Sequence, residues 1–530
     1  CGREAMSRRP TAAVVVVGDI GRSPRMCNHA LSLAQQMDYN VFLIGQTETA
    51  PNSLIANHPN IRLIGVDPPP VVISEFLPQL LALPLRFLWT ALMLFSAFFF
   101  RLGWHLDFIL VQNPPGLPVL CIAIIAAWIR RARLIVDWHN YTWSMLAQRW
   151  NLEDVMAEGR REEREHTSQP RSRVHSGANE RRAAPSLATA TNGNAAVKKL
   201  KKPKSNKQKF LEWTHWLEGW CGRRVHASIC VSKAMREDLA YRWGVPSAVF
   251  YDRPPSWKFK HPSLSDLHSL FVQLGTKGDG LVFRGEEPTK EEKDEANANG
   301  EGDLTQFTLL TLQSESVTIR LRRNRPLILL SSTSWTPDED FSILLDALTK
   351  YDEIARVSHN STPEHSLPRL LVVITGRGPD KAFYQSKISR LSLAWVDICT
   401  PWLKADDYPR MLAAADIGVS LHTSTSGLDL PMKVIDMFGV GLPVLAKRFA
   451  CIGELVEDGR NGLLFDSSHQ LSQHIITLAT GHPTHNKALQ ELREGASGCL
   501  PSWEETWSTC VKALFEQVSN EPLQRILARE

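Results

Sequence analysis

The sequence predicts an α/β protein in which two Rossmann-like domains face a central cleft, with disordered insertions. Three observations carry that prediction. Short β-branched runs such as Ala12–Val17 alternate with helical stretches, the pattern of buried parallel sheets covered by helices on both faces. The 530-residue length exceeds what one core supports, roughly 250–300 residues, so two domains is the natural count. Polar, glycine-containing loops recur at strand carboxyl ends, where open α/β sheets bind ligands.

Composition excludes little else. With 43% hydrophobic and 22% charged residues the chain is an ordinary globular one, and a net charge of +4 is no argument for nucleic acid. Nine scattered cysteines form no C-x-x-C pair and read as reduced thiols facing a cytosol-like compartment. The first residue, Cys1 rather than Met, makes a fragment the expectation, and no secretory signal or amino-terminal membrane helix is visible.

The first domain is expected over 1–255, with strands at Val41–Gly45, Ile61–Val66, Asp107–Gln112, Leu134–Asp137, Ala227–Val231 and Ala248–Tyr251 following Ala12–Val17. The opening strand runs into Gly18-Asp19-Ile20-Gly21-Arg22-Ser23-Pro24-Arg25, where Ser23 suits a helix cap and Pro24 a first turn. Asp137-Trp138-His139-Asn140-Tyr141-Thr142-Trp143 closes a later strand. Sugars stack on Trp faces, and a His takes a hydroxyl proton near neutral pH, so this turn suits an acceptor site. Between strands lies the apolar run Leu77–Phe100, whose only charge is Arg86. Arg86, Pro78 and Pro84 leave Phe87–Phe100 unbroken, short of the roughly 20 residues a span requires, so interfacial or re-entrant insertion is expected, with Trp89 and Trp104 at headgroup level. Residues 153–209 lose hydrophobic periodicity and read as a disordered basic insertion, and no aromatics interleave its lysines as single-stranded nucleic acid would require.

Residues 256–325 read as a linker and mobile loop containing the acidic run Glu291–Glu295. The second domain is expected over 326–500, with strands at Pro326–Ser331, Leu370–Thr375, Val396–Cys399, Ile417–Leu421 and Val444–Ala446. Its strand-end loops hold Ser334, Arg377 and the stretch Ser426–Val444, which contains Asp429, Leu430, Pro431, Met432, Lys433 and Asp436. Pro431 suits a helix start, whose free N–H groups and dipole favour a diphosphate. Lys433 adds a point charge, and Asp436 is placed to accept hydrogen bonds from ribose or sugar hydroxyls. Residues after Glu454 read as scaffold, and 501–530 as a terminal helix, from about Trp503, that crosses back to the first domain.

The motifs GDIGRSPRM, QNPPGLP, DWHNYTWSM, VITGRGP and HTSTSGLDLPMKVIDMFG together make a specific likeness. The chain resembles the GT-B glycosyltransferases and, within them, the β-mannosyltransferase family of dolichol-linked oligosaccharide assembly. That resemblance implies transfer of mannose from GDP-mannose to the 4-hydroxyl of the outer GlcNAc of GlcNAc2-diphosphate-dolichol, with inversion, on the cytosolic face of the endoplasmic reticulum membrane. It implies as partners the dolichol-linked chitobiose, that membrane and other mannosyltransferases of the pathway, and no nucleic acid. No tightly bound cofactor is implied, and no visible motif requires a divalent metal. The related retaining enzymes carry a Glu-x7-Glu signature whose two positions fall here on Leu428 and Asp436, with Asp429 beside the first, so the retaining pattern is not kept. Inversion needs a base, for which Asp19 and His139 both stand. Donor contacts are expected from Ser334, Arg377, Asp429, Leu430, Pro431, Met432, Lys433 and Asp436, and acceptor contacts from Arg22, Trp138 and Asn140. The alternative is a catalytically idle GT-B paralogue that serves as a membrane or mannosyltransferase scaffold.

Overall fold

The computed structural model describes residues 8–73, 79–150, 152, 205–276, 282–337, 339–358, 366–424 and 426–521. Seven strands, β1 (Thr11–Asp19), β2 (Asn40–Gln46), β3 (Ile61–Gly65), β4 (Phe108–Asn113), β5 (Arg133–Trp138), β6 (Ala227–Cys230) and β7 (Ala248–Val249), form an all-parallel sheet in the order β3-β2-β1-β4-β5-β6-β7. Ala12–Val15 are buried, as a central strand covered on both faces must be. Strand order reverses between β1 and β4, which opens a crevice at their carboxyl ends, where Asp19 and Asn113 lie.

A second parallel sheet repeats the plan. Its strands are β11 (Leu327–Ser332), β12 (Leu370–Thr375), β13 (Val396–Cys399), β14 (Ile417–Ser420), β15 (Val444–Lys447) and β16 (Gly462–Phe465), in the order β13-β12-β11-β14-β15-β16. The reversal falls between β11 and β14, so the loops holding Ser334 and Asp429 share one crevice. Strand positions match the sequence expectation to within a residue or two.

Two expectations are corrected. Residues 256–325 are not a mobile linker: β8 (Leu304–Phe307), β9 (Thr311–Ser314) and β10 (Ile319–Leu321) form an antiparallel sheet beside helices Leu264–Leu274 and Lys290–Ala298. The acidic run lies on the second helix, capped by a Thr289–Glu292 capping box; Glu292 is buried against Arg322 at 3.1 Å, and Glu295 pairs with Arg320 at 2.9 Å and Arg323 at 2.6 Å. The basic insertion ends earlier than 209. Residues 153–204 lie outside the described residues, but Asn206–Gly222 is a helix that starts from a Ser205–Gln208 capping box.

The apolar run folds as one helix, Gln79–Ser96, continued by a π-turn at Ala97–Arg101. Pro84 does not break it, because it lies near the amino-terminal end, where its ring removes a single ladder bond. The segment Ala82–Arg101 is 20 residues long with mean hydropathy 1.7, enough by length and composition to cross a bilayer, which exceeds the short unbroken core read from sequence. Leu85, Leu88, Leu92 and Phe95 form an exposed stripe on it at helical spacing, while Leu94 and Phe98 join the core.

The terminal segment does return to the first domain. Helices Trp503–Trp507 and Ala513–Asn520, joined by a π-turn at Ser508–Lys512, bury Trp503, Trp507, Val511 and Phe515 with Met26, Leu33, Phe108 and Phe250.

Candidate active site

At the end of β5 the chain turns through His139 and Asn140. His139 Nε2 lies 3.0 Å from Oδ2 of Asp137, two residues earlier on the same strand. Asp137 is fully buried and central to a wider network: Arg25 grips it at 2.7 and 2.9 Å, and His29 Nε2 meets it at 3.1 Å. Arg25 also donates to Asp252 at 2.8 Å. Burial opposes the Asp137 charge, but Arg25, His139 and His29 outweigh it and hold the carboxyl well below its ordinary range. With Asp137 ionised and accepting from Nε2–H, the neutral His139 ring carries its lone pair on Nδ1. Arg25, one of two arginines in the first loop, is thus a buried structural cation rather than a ligand contact.

The second base candidate stands differently. Asp19 Oδ1 accepts from the Thr49 backbone at 2.9 Å, and Oδ2 pairs with Arg22 at 3.3 Å. Burial raises its carboxyl, but hydrogen bonds from Thr49 and Gly21 and the Arg22 charge more than offset this, so Asp19 is a weaker base than an ordinary Asp. Arg22 itself is exposed at the crevice mouth. Ser23 does not cap the helix with its side chain; its hydroxyl donates to Gln112 at 3.0 Å and ties the first loop to β4.

Trp138 corrects the acceptor expectation. It is fully buried, donates to Ser228 at 2.6 Å and packs on Tyr141 and Trp243, so no sugar stacks on it. Side-chain alternation along the strand turns it into the core, while His139 and Asn140 leave the sheet.

Glu218 holds this turn in place, and no local motif points to it. Buried on the Asn206–Gly222 helix, it accepts from the backbone of Thr142 at 2.9 Å, of Trp143 at 3.2 Å, and from Asn113 Nδ2 at 3.0 Å. Glu218→Ala would strand those three donors, and we expect it to lower stability by about 3–5 kcal/mol. Thermal unfolding checks this, with Glu218→Gln expected to lose markedly less.

In the second domain, Met432–Gly439 forms the expected helix with Pro431 at its N-cap. Lys433 is not a free cation. Its ammonium is bonded to Oε1 of Glu339, which is itself buried. Glu339 Oε2 accepts from Thr333 Oγ1 at 2.5 Å and from the Ser334 backbone at 3.2 Å. The Ser334 N–H and the Lys433 charge are therefore both committed to one carboxylate, 94 residues from Lys433 in sequence. Arg377 is exposed and stacks 3.9 Å from the Trp402 ring centroid. Its flanking glycines serve packing: a Cβ at Gly376 would meet Thr333 O at 1.8 Å, and one at Gly378 would meet Ser334 O at 1.7 Å. Leu430 is core, so it reaches the crevice with backbone only, whereas Met432 is exposed.

Asp436 is half-buried beside the Tyr408 hydroxyl and Lys258. Burial pushes its carboxyl up to about 6, against the opposing pull of Lys258 and Tyr408. A carboxyl raised in this way contributes stability when protonated; that contribution is complete below about 3.9 and is lost as pH rises through its folded value. Asp436→Asn stays neutral, so its unfolding midpoint should gain on the parent between about pH 4 and pH 8. Parallel melts across that range check the sign, and a pH-independent difference would contradict it.

The two halves meet across the crevice. Asn140 Nδ2 donates to Asp429 Oδ1 at 3.0 Å, joining an acceptor-side residue to the donor loop. Asp429 Oδ1 also accepts from Ser426 at 3.2 Å and from Ser424, which fixes the Ser426–Leu430 turn. Ser232 Oγ donates to Leu428 O. Glu454 accepts from the backbone N–H groups of Lys233 at 2.7 Å and Ala234 at 2.9 Å, so a second-domain carboxylate sits at the start of the Lys233–Trp243 helix in the first. Glu454, at the edge of what reads as scaffold in the sequence, is thus an interdomain contact. Among the described residues, no group of three or more His, Cys, Asp or Glu side chains is arranged to hold a metal ion.

Residues 330–481 match the family model for glycosyl transferases group 1. HepE of Anabaena, solved in complex with UDP-glucose, superposes with a TM-score of 0.54 over 96% of this chain and 99% of that one at 15% identity, a likeness of fold. Paired parallel sheets around one crevice and this family match define a GT-B glycosyltransferase. Among relatives, the UDP-glycosyltransferase TURAN of Arabidopsis thaliana is 37% identical over 97% of this chain and 98% of its own. The chitobiosyldiphosphodolichol beta-mannosyltransferases of Homo sapiens and Dictyostelium discoideum are each 34% identical, over 94% and 95% of this chain and 91% and 93% of theirs. The chain belongs to the chitobiosyldiphosphodolichol β-mannosyltransferase family.

Proposed function

We propose that this enzyme transfers mannose from GDP-mannose to the 4-hydroxyl of the outer GlcNAc of GlcNAc2-diphosphate-dolichol, with inversion, and that His139 is the base. The observation that carries the reading is the His139–Asp137 pair at the end of β5, one residue from the Asn140–Asp429 contact with the donor loop. In a single displacement the acceptor hydroxyl attacks the anomeric carbon while its proton passes to His139 Nδ1, and the bond to the GDP oxygen breaks on the opposite side. Asp137 stabilises the imidazolium that forms. The leaving diphosphate is met by the free N–H groups at Met432 and Lys433, with Arg377 as a cation from the neighbouring loop. Lys433 acts within its Glu339 pair, as a positioned donor more than as net charge. Asp436 holds ribose. Asp19, depressed and bound to Arg22 and Thr49, orders the first loop beneath the acceptor, toward which Arg22 extends.

A lipid-linked acceptor requires the enzyme at a bilayer, and the described surface supports that. The exposed stripe on Gln79–Ser96 lies beside a second apolar helix, Val119–Arg130, whose Ile125, Trp128 and Ile129 are also exposed. Phe100 and Trp104 extend the apolar surface past the π-turn. We place this face on the cytosolic leaflet of the endoplasmic reticulum, where other mannosyltransferases of the pathway would work alongside. The described cysteines are unbridged, in keeping with a reducing compartment.

The second reading is a UDP-sugar donor, favoured by the name of the Arabidopsis relative. Incubating the purified protein with phytanyl- or dolichyl-linked chitobiose and a panel of GDP- and UDP-sugars separates the two. Turnover with GDP-mannose alone is expected; turnover with a UDP-sugar and none with GDP-mannose would overturn the proposal, and nucleotide binding without turnover would favour the scaffold alternative.

A further inference from the structure

A hydrogen-bond path runs from the terminal helix to the base, outside the contacts assigned to donor and acceptor. Trp507 Nε1–H donates to His29 Nδ1 at 2.9 Å. An indole N–H is a donor only, so His29 Nδ1 must be an acceptor and the His29 proton must sit on Nε2. That Nε2–H faces Asp137 Oδ2 at 3.1 Å, the same oxygen that meets His139 Nε2 at 3.0 Å. Trp507, His29 and Asp137 are all fully buried. We propose that Trp507 is a positioning residue for catalysis: by donating to His29 Nδ1 it strengthens the Nε2–H that His29 offers to Asp137, and thereby sets how strongly that carboxylate holds His139. This rests on the assignment of His139 as base.

The groups facing Asp137 define the sign of the effect. Arg25 and His29 come from the Pro24–Gln36 helix, Asp252 follows β7 and is bound through Arg25, Cys230 lies on β6, and Trp507 comes from the terminal helix. Burial pushes the Cys230 thiol up to about 12, so it carries no charge at neutral pH. Burial also lowers His29 below its ordinary range and outweighs the attraction of Asp137, which agrees with a neutral ring. If the indole N–H is lost, His29 Nδ1 is left without its donor and the Nε2–H, no longer polarised through the ring, bonds Asp137 more weakly. With that donor weakened, the Asp137 charge bears more heavily on His139, and the protonated form of His139 is favoured.

The test uses the full chain with GDP-mannose and dolichyl-linked chitobiose, and compares Trp507→Phe with a matched control. Phenylalanine keeps a ring in the pocket and deletes the N–H. The control is Trp503→Phe: Trp503 packs edge-on against the same His29 ring at 5.0 Å, but its Nε1–H goes to Ser32 at 3.0 Å, away from Asp137. Both variants should lose thermal stability. Only Trp507→Phe should move the acidic limb of the kcat–pH profile to higher pH, by about half a unit or more, and lower kcat at neutral pH severalfold with the donor KM unchanged. His29→Gln, whose amide can accept from Trp507 and donate to Asp137 without titrating, should keep the parental limb, while His29→Leu should shift it as Trp507→Phe does. A Trp507→Phe profile that superimposes on the parent, or a shift of equal size in Trp503→Phe, overturns the proposal even when His139→Gln abolishes the limb. A His139→Gln enzyme that retains the limb overturns both this inference and the base assignment beneath it. Should Trp507→Phe not fold, the His29→Gln and His29→Leu pair decides the matter: equal profiles would overturn the proposal.

Discussion

His139→Gln should lower kcat by about 100- to 10,000-fold, the range a positioned general base supplies, with little change in the donor KM. Glutamine keeps the size and the hydrogen bond to Asp137 while removing the titrating nitrogen, so folding should be preserved. The same substitution should abolish the acidic limb of the pH–rate profile. Asp19→Asn is the contrast: its carboxylate is held low by Thr49, Gly21 and Arg22, which makes it the poorer proton acceptor, and the variant should retain that limb. A rate profile in which Asp19→Asn loses the limb and His139→Gln keeps it would exchange the two roles. Asp137→Asn is expected to damage stability as well as rate, since it leaves Arg25 with Asp252 as its remaining carboxylate partner.

The second large effect concerns stability. Glu339 is almost wholly buried, and its charge is compensated by Lys433 and by hydrogen bonds from Thr333 and Ser334. Lys433→Ala would leave a buried carboxylate unpaired, a loss expected to cost about 3–5 kcal/mol. Glu339→Gln removes the charge but keeps an acceptor for Thr333, and should cost less. The informative protein is the double variant Glu339→Gln with Lys433→Ala. It should recover most of the stability lost by Lys433→Ala, because no uncompensated charge remains. Unfolding midpoints of the three proteins measure this, and strictly additive losses would show that the pair is not coupled. The comparison also separates folding from chemistry: a stable double variant that has lost turnover would place Lys433 at the leaving diphosphate.

Strand positions in the two parallel sheets, the donor helix and the returning terminal helix are legible in the sequence because each has a local signature. β-Branched runs of strand length, and Pro431 at a helix start that Gly441-Leu442-Pro443 closes, encode their structure locally, while the Ser502–Glu505 capping box marks the start of the terminal helix. The site is only half legible. His139, Asn140 and Asp429 stand at strand ends and can be found there, but their partners come from elsewhere in the chain: Glu218 bonds residues 75–105 positions away, and Glu339 bonds Lys433 at a distance of 94. Periodicity contains no information about such pairs. Trp138 misleads for a related reason: aromatic composition suggests stacking, while side-chain alternation along β5 decides which ring is available. The acidic run at 291–295 misleads because its neutralising arginines lie on β10 and just beyond it.

Inverting mannosyl transfer from GDP-mannose, driven by a base in the first domain, leaves its record in the anomeric configuration of the product. That configuration can be read by NMR on mannosylated lipid-linked chitobiose made by the purified enzyme from GDP-mannose. A β-linked mannose, formed by the parent and not by His139→Gln, is the predicted result; an α-linked product would contradict inversion and the role of His139 together.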